Sequence, residues 1–416
     1  MTVRRTLVVG AGIVGLSTAW FLQERGVEVT VFDRIGVAAD ASWGNAGWIA
    51  PALTLPLPEP AVLRYGLRSV FRPSSPVYVP PTTDVRMLRF LADFARHCTT
   101  RRWTSAMEVF ARANRLAVAA YDDLAVGDSG GAVTEQPRLA DPFLAVFTAG
   151  SDRRLLTDEF ERARRAGGEI DYDLLDADTV HSLEPMLGDA VRFGVRIRGQ
   201  RFVDPPRFVE ALADAVRARG GEIVTGAEVR GVRDTGRGVD VAIDGGDAYS
   251  ADAVVLATGA RLGALARGFG VRTRVQAGRG YSFTVRPQSV PKNPIYFPAQ
   301  RVACTPLHDR FRVAGMMEFR RPDAPLDPRR VQAIVDATRS LLRDVDWESR
   351  REEWVGSRPC TADGLPLVGR TRSERVFVAG GHGMWGVALG PLTGRLLAEA
   401  MTGTPDPLLR SFDPLR

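Results

Sequence analysis

With 416 residues, 45% of them hydrophobic and 25% charged, the chain has the composition of a folded protein of two or three domains. Its net charge of +6 rests on arginine, with Lys292 the single lysine; the arginines are spread among 49 acids, which describes a solvated surface and speaks against nucleic-acid binding. No apolar run reaches the ~18 residues of a membrane span, and neither the three cysteines nor the four histidines have disulfide or metal-ligand spacing.

The apolar N-terminal segment is punctuated by glycines and is no signal peptide, so the expected location is the cytoplasm. Attraction of the arginines to an anionic membrane face, peripheral to the inner side, is a further expectation. The run Thr6–Val9 reads as a strand, Gly10-Ala11-Gly12-Ile13-Val14-Gly15 as a turn, Leu16–Leu22 as a helix and Val27–Phe32 as a second strand ending in Asp33. Residues 36–50 are small and glycine-rich, suited to lie against a flat ligand. Residues 51–81 are proline-rich yet apolar, which predicts an ordered lid or contact surface with a short helix near 60–70.

Helical spacing follows over 84–126 with a break near Thr99-Thr100, then over 152–166 and 176–184; the stretches 132–150 and 190–203 read as strands. Asp204-Pro205-Pro206 starts a helix over 207–219, closed by Gly220-Gly221. Strands are predicted at 222–224, 228–233, 239–243 and 253–257, alternating antiparallel strands over 271–285 and 295–319, and a helix over 328–345. The chain ends on a buried strand, 375–379, a turn Gly380-Gly381-His382-Gly383, and a helix over 392–401. The implied fold class is α/β, α+β overall: a Rossmann-like dinucleotide domain from 1–50, 200–265 and 350–416, with a substrate or cap domain from 51–199 and 266–349 built on a mixed, largely antiparallel sheet plus helices.

The opening unit carries the chemistry of dinucleotide binding. Gly10 permits the turn out of the strand, Gly12 lets a pyrophosphate approach the backbone, and Gly15 lets the helix pack on the sheet. The helix N-terminus offers free N–H groups and a partial positive charge. Asp33, 23 positions after Gly10, can accept both ribose hydroxyls. That fingerprint fits NAD and FAD alike. FAD is favoured because no second such motif follows a strand, because Val254–Ala257 runs into Thr258-Gly259, and because the last glycine turn can aim a helix dipole at a reduced, anionic flavin.

Gly10–Gly15 with Asp33-Arg34, Ser42-Trp43-Gly44-Asn45-Ala46-Gly47, Arg279-Gly280-Tyr281-Ser282, Arg358–Gly369 and Gly381–Gly386 together resemble the FAD-dependent oxidoreductases of the D-amino-acid oxidase superfamily. Within it the chain is most similar to the bacterial D-amino-acid dehydrogenases, over essentially its full length. The resemblance implies noncovalent FAD and hydride removal from the Cα of a small-to-medium amino acid, giving an imine that hydrolyses to a 2-oxo acid and ammonia. Electrons then pass to a quinone or other carrier. An oxidase of glycine or N-methyl amino acids, a dehydrogenase of D-proline or D-hydroxyproline, and a non-catalytic FAD-bearing subunit of an electron-transfer complex are the alternatives.

The resemblance places Arg358 on the substrate carboxylate, which a planar guanidinium grips through two parallel hydrogen bonds. Tyr281 is expected to add a hydroxyl to that carboxylate or to the pocket wall, and His382 to support the flavin's pyrimidine edge. No base is assigned, since the neutral amine can be drawn from solution. The implied cofactor set is Gly10, Ala11, Gly12, Ile13, Val14, Gly15, Asp33, Arg34, Ser42, Asn45, Ala46, Gly47, Trp48, Val229, Thr258, Gly259, Gly381, His382, Gly383, Met384, Trp385 and Gly386. Trp48 and Trp385 are candidates for the pocket wall. Cys360 lacks the spacing of the cysteines that bind FAD covalently in some relatives. Related amine oxidases use a lysine over the flavin to promote oxygen reduction; here only Lys292 could, from a Pro-flanked loop, which favours another acceptor.

Overall fold

The structure is a computed structural model and describes residues 3–60, 72–127, 131–246 and 248–416. Its first sheet has six strands in the order Glu222–Thr225, Glu28–Asp33, Arg5–Val9, Ala253–Leu256, Val376–Gly380 and Leu367–Arg370. All neighbours are parallel except the last pair. The four inner strands are buried on both faces. Leu7, Val9, Val254, Leu256, Val376 and Val378 face a three-stranded antiparallel sheet (Val229–Asp234, Val239–Ile243, Ala248–Ala251). Val8, Val31, Val255, Phe377 and Ala379 face the helices Ile13–Glu24, Pro205–Ala218 and Gly386–Thr402. Each of the valines, leucines and Phe377 among them contributes about 1.5–3 kcal/mol of burial, and together they hold the strand ends where the cleft opens.

Two helix contacts require glycine. A Cβ on Gly15 would lie 1.9 Å from the carbonyl oxygen of Gly10, and one on Gly394 2.6 Å from the backbone of Ser17. The last helix begins at Gly386, six residues earlier than its periodicity predicts, and tolerates Pro391. Proline has no N–H for the carbonyl of Val387; the buried Tyr121 hydroxyl donates to that carbonyl instead, at 2.6 Å.

The second large sheet has nine strands. Near one edge Val275–Val285 lies antiparallel between Arg310–Phe319 and Arg351–Thr361. The strand Arg351–Thr361 belongs to this sheet along its whole length, so a boundary at residue 350 cuts between the sheet and its edge strand. The strand ends by bridging Cys360 to His382, and this joins the two sheets at the cleft. The helix predicted over 328–345 stops at Thr338. The helix expected near 60–70 lies outside the described residues. Among the described residues no helix is long and apolar enough to cross a membrane.

Candidate active site

A cleft of about 320 Å³ runs along the C-terminal ends of the parallel strands and under the edge of the large sheet. One end is made by the first turn. Gly10 has φ +117°, and a Cβ there would strike the Ala257 carbonyl at 2.4 Å. Gly12 caps the first helix without a side-chain bond, and among the described residues the N–H groups of Gly12 and Val14 have no protein acceptor. The N–H of Ile13 is taken by Ser42 Oγ at 3.1 Å. Asp33 is tied into the same turn: one oxygen accepts from Ala11 N at 2.9 Å, the other from Ile35 N and Gly36 N.

The walls then follow Arg34, Asp40, Asn45, Val229, Thr258 and Gly259 towards Arg358, His382, Gly383 and Gly386. Among the described residues Thr258 Oγ1 is buried without a hydrogen-bond partner. His382 is 2% exposed; its Nε2 pairs with Thr393 Oγ1 at 2.8 Å, while its Nδ1 is buried and unpartnered. Burial pushes its pKa down to about 4, so the imidazole is neutral at pH 7. Arg358 donates to the Met316 carbonyl at 2.7 Å and, among the described residues, faces no carboxylate within ion-pair distance. Burial lowers its pKa to about 10, which leaves it charged at pH 7. The guanidinium occupies the space a side chain on Gly280 would need: a Cβ there would lie 2.1 Å from Arg358 Nη2.

These residues fit FAD. A phosphate end is supplied by unpaired helix N–H groups over a glycine cradle, and orphaned buried polar atoms at Thr258 and His382 await partners further along.

Several expected site residues stand elsewhere. Tyr281 is fully buried on the opposite face of its strand, and its hydroxyl donates to the buried carboxylate of Glu318. Strand alternation is the cause: Gly280 and Ser282 face the cleft side, so Tyr281 faces the core behind the sheet. Trp48 packs edge-to-face on Phe143 and Tyr296, with its N–H on Thr305 Oγ1 at 2.9 Å. Trp385 donates to the Leu55 carbonyl at 2.7 Å, and Met384 packs in a separate apolar cluster. Ala11, Gly15, Ala46, Gly47 and Gly381 shape the neighbouring backbone without lining the cleft. Lys292 is exposed and outside the lining.

Other lining residues escaped the sequence, among them Asp40, Arg230, Arg261 and Ser357. Asp40 Oδ1 accepts the N–H of Ser357 at 3.2 Å, a contact across 317 positions that no local pattern announces.

A dinucleotide cradle on a parallel sheet, roofed by a mixed, largely antiparallel sheet that brings a half-buried cation to the far end, defines a flavin-dependent oxidoreductase. The chain belongs to the DAO family of FAD-dependent oxidoreductases, whose family profile matches residues 5–400. It is 30% identical over 407 residues to a D-amino acid dehydrogenase of Rhizorhabdus wittichii, covering 96% of both chains. To a D-amino acid dehydrogenase of Cereibacter sphaeroides it is 31% identical over 406 residues, covering 96% of this chain and 92% of that one. Among solved structures it is similar to a glycine oxidase from Geobacillus kaustophilus (TM-score 0.74, 22% identity, 99% of each chain). It is also similar to an iminodiacetate oxidase from Chelativorans sp. (TM-score 0.73, 19% identity, 99% of each chain). The structural likenesses establish the fold.

Proposed function

We propose that the protein oxidises an amino acid, a D-amino acid first of all, to its imine, with FAD held in the cleft. The observation that carries this reading is Arg358: a half-buried, charged guanidinium at the cleft wall whose hydrogen bonding among the described residues is one carbonyl. Leaving such a group unpaired is costly, and a carboxylate ligand relieves it through two charge-assisted bonds. The names of the two sequence relatives support the same substrate class.

Bound FAD supplies a two-electron acceptor for the hydride that leaves the substrate Cα. The chain's own part is to bind and orient. Gly10, Gly12 and the first helix hold the phosphate end by backbone N–H groups. Arg358 fixes the carboxylate, and with it the direction of the Cα–H bond. His382 stays neutral, so it neither competes for the carboxylate as a cation nor takes a proton in the neutral range. The substrate enters with its amine unprotonated, and the imine is hydrolysed by water to the 2-oxo acid and ammonia. Because Lys292 is exposed and away from the cleft, the electrons are assigned to a quinone or similar carrier rather than to oxygen.

The test is anaerobic mixing of the FAD-loaded protein with D- and L-amino acids, glycine, sarcosine and D-proline. Bleaching of the flavin absorbance by D-amino acids supports the proposal. Bleaching only by glycine and sarcosine, or only by cyclic imino acids, would reassign the substrate.

A further inference from the structure

The segment 43–46 is held along one side by the large sheet. Arg312 Nη1 donates to the carbonyls of Trp43 (2.7 Å) and Asn45 (3.2 Å). Ser282 Oγ donates to the Gly44 carbonyl at 2.9 Å, and Thr305 Oγ1 to that of Ala46 at 2.7 Å. Four consecutive carbonyls therefore turn to the sheet. In a trans peptide the next N–H points the other way, so the N–H groups of residues 44–47 point away from it. That of Gly47 is taken by Asn45 Oδ1. Among the described residues those of Gly44, Asn45 and Ala46 have no protein acceptor, and Asn45 lines the cleft.

Arg312 is an unusual choice for this task. It is 1% exposed, and its Nε and Nη2 are buried without hydrogen-bond partners among the described residues. Asp204, fully buried and close enough to act on its charge, has among the described residues no hydrogen bond to either carboxylate oxygen; its ion-pair contacts there are Arg310 at 3.6 Å and Arg207 at 3.9 Å. Arg310 pairs in turn with Glu352. Desolvating a guanidinium whose hydrogen bonds go to two carbonyls is expensive, and the Trp43 ring, 5.1 Å from it, offsets only part of that cost. Ser282 and Thr305 hold the neighbouring carbonyls without any charge, so carbonyl-holding alone does not explain a cation here.

We propose that Arg312 is a positioning residue and a fixed charge of the flavin site. It sets segment 43–46 with its free N–H groups turned from the sheet, and its cation, partly offset by Asp204, favours the anionic reduced cofactor over the oxidised one. This rests on the FAD assignment of the cleft and not on the choice of substrate.

The experiment measures the midpoint potential of the FAD-loaded full-length protein against redox dyes, with the visible flavin spectrum and the FAD dissociation constant taken from the same samples. Arg312→Met is expected to weaken the preference for the reduced form at least tenfold, a shift of about 30 mV to more negative potential for a two-electron couple. Arg312→Lys, which keeps the charge, is expected to keep the wild-type potential. Asp204→Asn, which disturbs the same buried cluster but removes a negative charge, is expected to shift the potential the opposite way, to more positive values. A general loosening of the fold gives no such pair of signs. Shifts of the same sign for Arg312→Met and Asp204→Asn, or no shift in either, would overturn the proposal. If Arg312→Met does not retain FAD, Asp204→Asn decides: a positive shift supports the proposal, and a negative or absent one overturns it. Amino-acid turnover is not needed for any of these readings.

Discussion

Replacing Arg358 by alanine should separate substrate binding from cofactor binding. The guanidinium is desolvated enough to lower its pKa to about 10, and it holds the Met316 carbonyl through Nη1. A fork of charge-assisted bonds to a substrate carboxylate is worth about 1.5–3 kcal/mol per bond. Losing two of them costs about 3–6 kcal/mol, or roughly 10²- to 10⁴-fold in kcat/KM. The phosphate cradle at Gly10 and Gly12 lies at the other end of the cleft, so FAD affinity should change little. The assay is anaerobic stopped-flow bleaching of the flavin across D-alanine concentrations, beside an FAD titration. Arg358→Lys keeps the charge but loses the fork, and should recover only part of the loss. Unchanged half-saturation with D-alanine in Arg358→Ala would remove this residue from the substrate site and refute the reasoning.

Gly280→Ala puts a methyl group where the Arg358 guanidinium now lies, 2.1 Å from its Nη2. It should raise the half-saturating substrate concentration at least tenfold with FAD retained; wild-type kinetics in this variant would count against the packing described. The pH dependence of stability has a stated sign. Folded His382 has a pKa of about 4 against an ordinary ~6.5. Between these values the unfolded chain binds a proton that the folded one does not, so stability is lost as pH falls from about 6.5 to about 4, by up to about 3 kcal/mol. Denaturant titrations should show that slope reduced in His382→Gln, and an identical slope would reassign it to other groups. The electron acceptor is tested by reoxidation: reduced enzyme should react faster with a soluble quinone than with air-saturated buffer, and Lys292→Met should leave both rates unchanged. A fall in the oxygen rate of that variant would place Lys292 at the flavin.

The parts legible in the sequence were those whose geometry is local. The turn Gly10–Gly15 with Asp33 must read as it does, because a tight turn, a close helix and a carboxylate at the next strand end are all set within one unit. The inner strands of the parallel sheet are buried on both faces and so appear as short continuous apolar runs. The face that Tyr281 takes is not legible in the sequence, because the face of a strand depends on which neighbours cover it, and the register shifts between Arg279 and Tyr281 against the adjacent strand. Trp48 and Trp385 have the residue type of a pocket wall, but their N–H partners, Thr305 and the Leu55 carbonyl, lie far off in the chain. Arg312 shows the same limit more sharply. It is one arginine among many until the fold lays the carbonyls of Trp43 and Asn45 against it.

The most direct measurement is the visible spectrum of the anaerobic FAD-loaded protein after addition of a D-amino acid. Loss of the oxidised flavin absorbance, with one equivalent of 2-oxo acid per flavin, is the predicted result. No bleaching by any D- or L-amino acid, glycine, sarcosine or D-proline would contradict the account of this cleft as an amino-acid-oxidising site.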